Sequence, residues 1–303
     1  MKVQFLRLAL VLFASTFASV LVAQGFFKTE YTSASSFKND EGDNLGSGDL
    51  LKFSGRYSFP LSVKQNYQGQ PILWAVTLSG SYAAMNNRDM LLDTNPGNIL
   101  NVGLNLTHQR PLSEKWSLIA TLGSGVYTAP KAISVKSILV NGGVIFVYRV
   151  ANNLDLGVGV GLTNSFGIPI IMPMALISWR LSGKYAVNVD IANAFEVSVS
   201  THLTNRFKIK LVGIEMTGMS SVMDTNGKSM IYSSTSMSSY LAPEWKVDKA
   251  TTLYLGAGGT WLREVTVTRR TLKDFFDNMF SGDKPKLHFK PAGYLVAGVR
   301  LSF

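Results

Sequence analysis

The sequence predicts an all-β protein, a transmembrane antiparallel up-and-down β-barrel of about fourteen strands. Three observations lead there. Apolar and polar residues alternate with a period of two in segments of about ten residues. The connections between segments are short and long by turns, and aromatic residues gather at one set of segment ends.

The alternation is clearest from Asn98 to His108, where Leu100, Val102, Leu104 and Leu106 share one face and Asn101, Gly103, Asn105 and Thr107 the other. Trp116, Leu118, Ala120 and Leu122 repeat it against Ser117, Ile119, Thr121 and Gly123. Leu154, Leu156, Val158, Val160 and Leu162 repeat it against Asp155, Gly157, Gly159, Gly161 and Thr163. Successive side chains of a strand point to opposite faces, so one face is apolar and the other small or polar. The same reading gives strands over 26–37, 48–61, 71–84, 98–110, 114–127, 136–150, 153–164, 169–181, 184–192, 195–204, 206–219, 229–246, 250–267 and 288–303. An even number suits a closed single-chain barrel. A count of about twelve is the alternative, with the first segment as a plug and the weak pair around Ala192 as one kinked strand.

Membrane barrels have short turns on the periplasmic side and longer loops outside. Tight connections fall at Arg110–Glu114, Ala151–Asn153, Ser182–Gly183, Thr204–Asn205 and Val247–Lys249. Between them come longer stretches at Asn39–Gly46, Met85–Gly97, Thr128–Val135, Ser220–Lys228 and Thr268–Leu287. The short connections near Gly167 and Asn193 and the longer inner one from Ser62 to Gln70 depart from the rule.

Trp and Tyr favour the membrane interface, where the ring is dry and its polar atom wet. Phe59, Trp74, Trp116, Tyr148, Trp179, Tyr185, Phe207, Trp245 and Phe303 all fall at periplasmic strand ends in this register. Tyr82, Trp261 and Phe289 fall toward the other end and begin an outer girdle.

Composition agrees. Hydrophobic residues make up 46% and charged residues 16% of 303, yet beyond the N-terminus no apolar run is long enough for a spanning helix. The absence of cysteine excludes disulfides, thiolate metal sites and a lipidated N-terminal Cys. The formal charge of +10 is scattered over turns and rims, which argues against nucleic acid as a partner. A soluble β-sandwich would carry Lys and Glu on its outer strand faces, whereas here the second face is rich in Gly and Ser.

Residues 1–23 read as a cleaved signal peptide: Lys2 and Arg7 form a basic start, Leu8–Val22 an apolar stretch, and Ala23 a small residue before the cut. Residues 24–303 are then the barrel domain. A single N-terminal anchor is the other reading. The last residues, Gly298-Val299-Arg300-Leu301-Ser302-Phe303, resemble the terminal-strand signal of outer-membrane barrels, with Gly298, Leu301 and Phe303 as its key positions. The whole chain resembles an uncharacterised outer-membrane β-barrel protein family of Gram-negative bacteria. That resemblance implies export to the cell outer membrane, contact with its lipid and lipopolysaccharide, and handling by the barrel-assembly machinery.

No Gly-x-Ser-x-Gly elbow, His-x-x-x-His pair or phosphate loop is present, and no cofactor is expected. His108 and His202 approach the periplasmic rim, and His288 lies near the other end. His288 with Asp277 and Asp283 is the one arrangement that suits a catalytic site, and solvated loop charges are the preferred reading of it. The chain is therefore not expected to be an enzyme.

Parity assigns Lys52, Arg56, Arg149, Arg180, Lys208, Lys210 and Arg300 to the inner wall, against Asp190, Glu196 and Glu244. Basic rings favour anions, so one expectation is a passive channel or transporter for small, anionic solutes. The other is a filled interior in which these groups pair, leaving a closed barrel that binds or supports at the surface. In the last loop, Leu272, Phe275, Phe276, Met279 and Phe280 recur at helical spacing over Thr271–Phe280, as an amphipathic lid or a loop packed on its neighbours.

Overall fold

The computed structural model describes residues 24–90, 95–164, 170–190, 195–225, 227–271, 273–274 and 287–302. Its strands are β1 (Gln24–Lys38), β2 (Asn44–Gln65), β3 (Pro71–Arg88), β4 (Asn98–Pro111), β5 (Trp116–Thr128), β6 (Ile138–Ala151), β7 (Leu154–Thr163) and β8 (Ile170–Leu181). There follow β9 (Ala186–Asp190), β10 (Phe195–His202), β11 (Phe207–Thr225), β12 (Lys228–Lys246), β13 (Thr251–Arg269), β14 (Leu287–Phe289) and β15 (Ala292–Ser302). From β1 to β13 each pairs antiparallel with the next, and β13 pairs with β14 and β15, which return to β1. The last two are parts of one stave, interrupted at Lys290 and Pro291, where proline has no N–H to give to the ladder. A closed antiparallel barrel of 14 strands results. The first segment is a stave between β2 and β15, not a plug, and β9 and β10 are two strands, not one.

The two faces follow the alternation. Leu104, Leu122, Val158 and Leu255 point outward and are each more than half exposed, the condition of side chains that meet lipid. Their neighbours in register, such as Gly103 opposite Ser79 and Gly125, face the lumen.

At the end where Gln24 pairs with Ser302, here the near end, the turns are short and closed by side-chain acceptors. Asn66 Oδ1 accepts from the backbone N–H of Gln68 and Gln70, both at 2.9 Å. Thr204 Oγ1 accepts from Arg206 and Phe207, and Asp248 Oδ1 from Ala250 and Thr251 at 2.7 and 2.8 Å. These local bonds are why Asn, Thr and Asp hold turns. In Asp248 the two N–H donors hold the carboxyl below its ordinary range.

At the far end the wall has uneven height. β2 has 22 residues and β11, β12 and β13 have 19 each, against 5 in β9 and 8 in β10. Residues 220–228, expected as a loop, are mostly strand: Thr225 pairs with Lys228, and Gly227 takes φ +73°. The Asn-Gly pair at 226–227 is the signal of such a two-residue hairpin. Similarly β2 runs on to Gln65, so the long inner connection is a five-residue turn over 66–70. The connections at 165–169 and 191–194 and the segment from Phe275 to Lys286 lie outside the described residues, as do Asp277 and Asp283 and the amphipathic stretch.

The tall side is solid inside. Phe37, Leu50, Met85, Ile99, Met219, Tyr232, Val265 and Phe289 meet in an apolar core within the far half of the barrel. Phe289 therefore faces inward against Phe37, with ring centroids 4.7 Å apart, and is no part of an outer girdle. Beyond Met216, where β10 ends, β11 leans across the interior to β5: Val222 pairs with Thr128, and Thr128 Oγ1 donates to the Val222 carbonyl at 2.9 Å. Asn101, with its amide turned to donate, reaches the Ser220 carbonyl at 2.7 Å. Val222 packs its back on Leu139, so the far half of the barrel is pinched.

Leu104 lies midway along β4 on the outer face, and Thr107 lies on the inner face of the same strand. A charge at the bilayer midplane costs about 2–4 kcal/mol on the lipid face of a barrel. Leu104→Arg is expected to lose that much stability in urea titrations of the protein refolded in lipid, and Thr107→Arg much less.

Candidate functional site

The lumen has two unlike walls. One, formed by β1, β2, β10–β13 and β15, carries charges that meet one another both on neighbouring strands and over the intervening ones. In its middle layer Lys28 Nζ lies 2.8 Å from Glu215 and 3.1 Å from Glu30, and Lys52 Nζ 3.6 Å from Glu30. Tyr294 Oη donates to Glu30 at 2.7 Å, and Tyr240 Oη to Glu215 at 2.9 Å. All six side chains are buried or nearly so. Buried charges are tolerated only when paired and hydrogen-bonded, and here each carboxylate has both kinds of partner.

Nearer the N- and C-terminal end a second layer repeats the pattern. Glu244 holds Lys208 at 2.8 Å and Arg300 at 3.3 Å, and Glu196 holds Lys210 at 2.7 Å. Arg56 is half-buried and feels the Asp190 carboxylate. Arg149 and Arg180 share Asp155 at 3.5 and 3.9 Å on the rim, where all three are more exposed. Lys52, Lys208, Lys210, Arg149, Arg180 and Arg300 thus each lie within 4 Å of a carboxylate, two cations sharing one at Glu244 and at Asp155, although cations outnumber carboxylates in the second layer and on the rim. Between the middle layer and the apolar core there remains a void of about 20 Å³, room for one water, beside Ser234, Ser236 and Ser238.

Four charged residues of this side of the interior were not singled out from sequence. Lys28 and Glu30 follow plain alternation with Phe27 and Tyr31 and were readable in principle. Glu215 was hidden by a bulge: with Lys208, Lys210 and Val212 inside, strict alternation puts it outside, but the register shifts between Val212 and Glu215. An extra residue on one strand reverses the facing of all that follows. Arg263 was hidden the same way, by the shift on β13 opposite Met237 and Ser238 that gives Trp261 to the lipid side. Its guanidinium is buried in the far core, 3.9 Å from the centre of the Phe289 ring.

The second wall, the inner face of β5–β8, is made of small and apolar residues. Across it run the rows Met174, Gly159, Ile145, Ile119 and Met172, Gly161, Gly143, Thr121. A methyl group on Gly161 or Gly143 would come within 2.7 or 2.8 Å of the Met174 sulfur, and one on Gly157 within 2.9 Å of Ile145. These side chains therefore lie flat over the glycines, which keeps the interior wide on this side. Unlike the middle charged layer, it remains partly open to solvent: Met174 is 36% exposed although it faces inward.

His108 stacks on Trp74 at 4.2 Å on the outer face near the termini, His202 lies near the same rim, and His288 pairs in register with Lys38 and Glu264 at the far end. The three do not meet. Gly298 lies under Tyr254, and Leu301 pairs with Gly25 and Thr251; Phe303 lies outside the described residues.

Fold and lumen together define a transmembrane barrel with a partly filled interior. The chain belongs to the family described as a domain of unknown function, DUF6268, which matches residues 19–302. No curated protein matches the sequence significantly. Three solved structures similar to it are distant. The NanC porin is 9% identical over 92% of this chain and 100% of that one, with a TM-score of 0.32. The toluene transporter TodX of P. putida is 8% identical over 95% and 91%, with a TM-score of 0.36. The translocator domain of the autotransporter NalP from Neisseria meningitidis is 11% identical over 100% and 95%, with a TM-score of 0.30.

Removing one partner of a buried ion pair leaves the other charge uncompensated, at about 3–5 kcal/mol. Glu30 is 5% exposed and serves two lysines and a tyrosine, so Glu30→Ala is expected to lower stability by that order, read by tryptophan fluorescence during urea unfolding in lipid.

Proposed function

We propose that the protein is an exported barrel of the outer membrane that lets small apolar or amphiphilic solutes pass along the β5–β8 side of its lumen. One observation carries this reading: the charged wall is sealed by its own ion pairs, while the opposite wall is apolar, glycine-lined and still accessible. A path for inorganic anions needs cations free to meet them. Lys28, Lys52, Lys208, Lys210 and Arg300 are instead each held within 4 Å of a carboxylate. An apolar solute loses little by leaving water for a wall of Met172, Met174 and Ile145, since burial of apolar surface is favourable. With the near end in the periplasm, the short turns face inward and the tall sheet faces out, as in barrels of that membrane.

The test is uptake of the apolar fluorophore N-phenylnaphthylamine by cells that make the protein. Uptake faster than in control cells is expected, and Thr121→Trp, which places a large ring on the half-exposed inner face of β5, should slow it several-fold while the protein still shows heat-modifiable migration on gels. Steady anion-selective conductance in planar bilayers, with uptake unchanged by Thr121→Trp, would overturn the proposal.

A further inference from the structure

The wall is not of one height within the membrane. Glu215, Glu196, Asp190 and Ser178 are successive partners across β11, β10, β9 and β8. Past that line only the two outer strands continue at length. β8 runs on from Ile177 to Ile170 paired with β7 alone among the described residues, and β11 runs on past Met216 without β10. Strands lie about 4.8 Å apart, so the loss of two leaves a notch on the order of 14 Å wide, and the lean of β11 toward β5 widens it.

Three further observations show that the notch is built into the chain. Pro173 sits in the middle of the free part of β8, and proline within a sheet belongs on an edge, where its missing N–H breaks no ladder. The free edge of β11 is capped by side chains from the opposite wall, Thr128 on the Val222 carbonyl and Asn101 on that of Ser220. The lip of the notch is apolar on both of its faces: Ile171 is 72% exposed to the lipid side, and Met172 and Met174 face the lumen directly behind it. Meanwhile the far mouth above β5–β7 is tied over. Arg270, just past β13, donates to the Lys136 carbonyl at 2.8 Å and to the Asn164 carbonyl at 3.2 Å, and Lys136 pairs with Asp224 at 3.3 Å. Among the described residues, the apolar side of the lumen is bridged above and uncovered sideways.

Backbone that is not in a ladder is tolerated at membrane depth where it lines a wet cavity, and the free edge of β8 has the lumen behind it. Trp179, nine residues after Ile170 along β8, marks the near interface, so at roughly 3.3 Å per residue the free edge covers most of the hydrocarbon thickness. Ions gain nothing from such an opening. A hydrocarbon chain does, because it can move from lipid to the methionine wall without crossing water.

We infer that the notch between β8 and β11 is a lateral doorway, through which the hydrocarbon chain of an amphiphile held in the membrane enters the lumen and lies along Met172 and Met174. This rests on the proposed passage of apolar solutes and adds where they enter or leave.

The chain has no cysteine, so single-cysteine variants need no background changes. An environment-sensitive fluorophore would be placed at Met174→Cys on the inner face behind the notch, at Val160→Cys on the lipid face and at Thr107→Cys on the inner face of β4. The refolded proteins would be put in bilayers whose phospholipids carry brominated acyl chains. A doorway predicts quenching at 174 close to that at 160, with little at 107. Quenching at 174 no greater than at 107, while 160 is strongly quenched, would overturn it. Because quenching needs no transport, the two readings fail separately: uptake without quenching at 174 removes the doorway and keeps the passage, and quenching without uptake keeps the doorway and removes the passage.

Discussion

The structure depends first on one constraint: in hydrocarbon every backbone N–H and C=O must find a partner inside the protein. A sheet meets it by closing, and the pairing of β1 with β15 supplies the closure. Closure then forces two faces on every strand, and all the chemistry of the chain is a division between them. Where β8 runs on without β9 among the described residues, it carries Pro173, which has no N–H to leave without a partner.

Within the barrel the two walls solve different problems. The charged wall fills space with polar groups that satisfy one another, so Glu30 and Glu215 act as hubs whose geometry holds β1, β2, β11, β12 and β15 in register. It joins an apolar core above it, and together they fill one side of the interior with buried side chains. The β5–β8 wall has no such core. Its glycines keep side chains off the axis, and the ties that reach it, from Thr128 to Val222 and from Arg270 to Lys136 and Asn164, lie at its far end. Stiffness is thus concentrated on the side that does not face the open space.

Alternation made the fold legible. Leu100 to Leu106 and Leu154 to Leu162 state their facing without help, and strand number followed from repeating that reading. What stayed hidden was any feature that breaks the period. Glu215 and Arg263 lie beyond bulges, and a bulge has no strong sequence mark when its residues are ordinary, as Gly213 and Trp261 are here. The far end of β11 was expected as a loop over 220–228, yet Ser220 and Ser221 lie in a long hairpin, paired with Ser233 and Tyr232 of β12. The pairing of lumen charges depended on which strands are neighbours, which parity on single strands does not report. The uneven height of the wall was visible only as two connections that departed from the rule near Gly167 and Asn193, though Pro173 pointed to an edge.

The bridge from Thr128 to Val222 joins residues 94 apart in the chain, whereas the near half of the barrel is made of hairpins between successive strands. Local contacts close sooner than distant ones, because less chain entropy must be given up first. The near half can therefore grow stave by stave as the chain enters the bilayer, but the pinch cannot form until β11 has arrived beside a β5 already in place. Assembly has an order written into it: the pinch waits for β11, and the seam of β1 with β15, whose partners stand farthest apart in the chain, closes last, so a chain that stalls before β11 would present an open trough instead of a barrel.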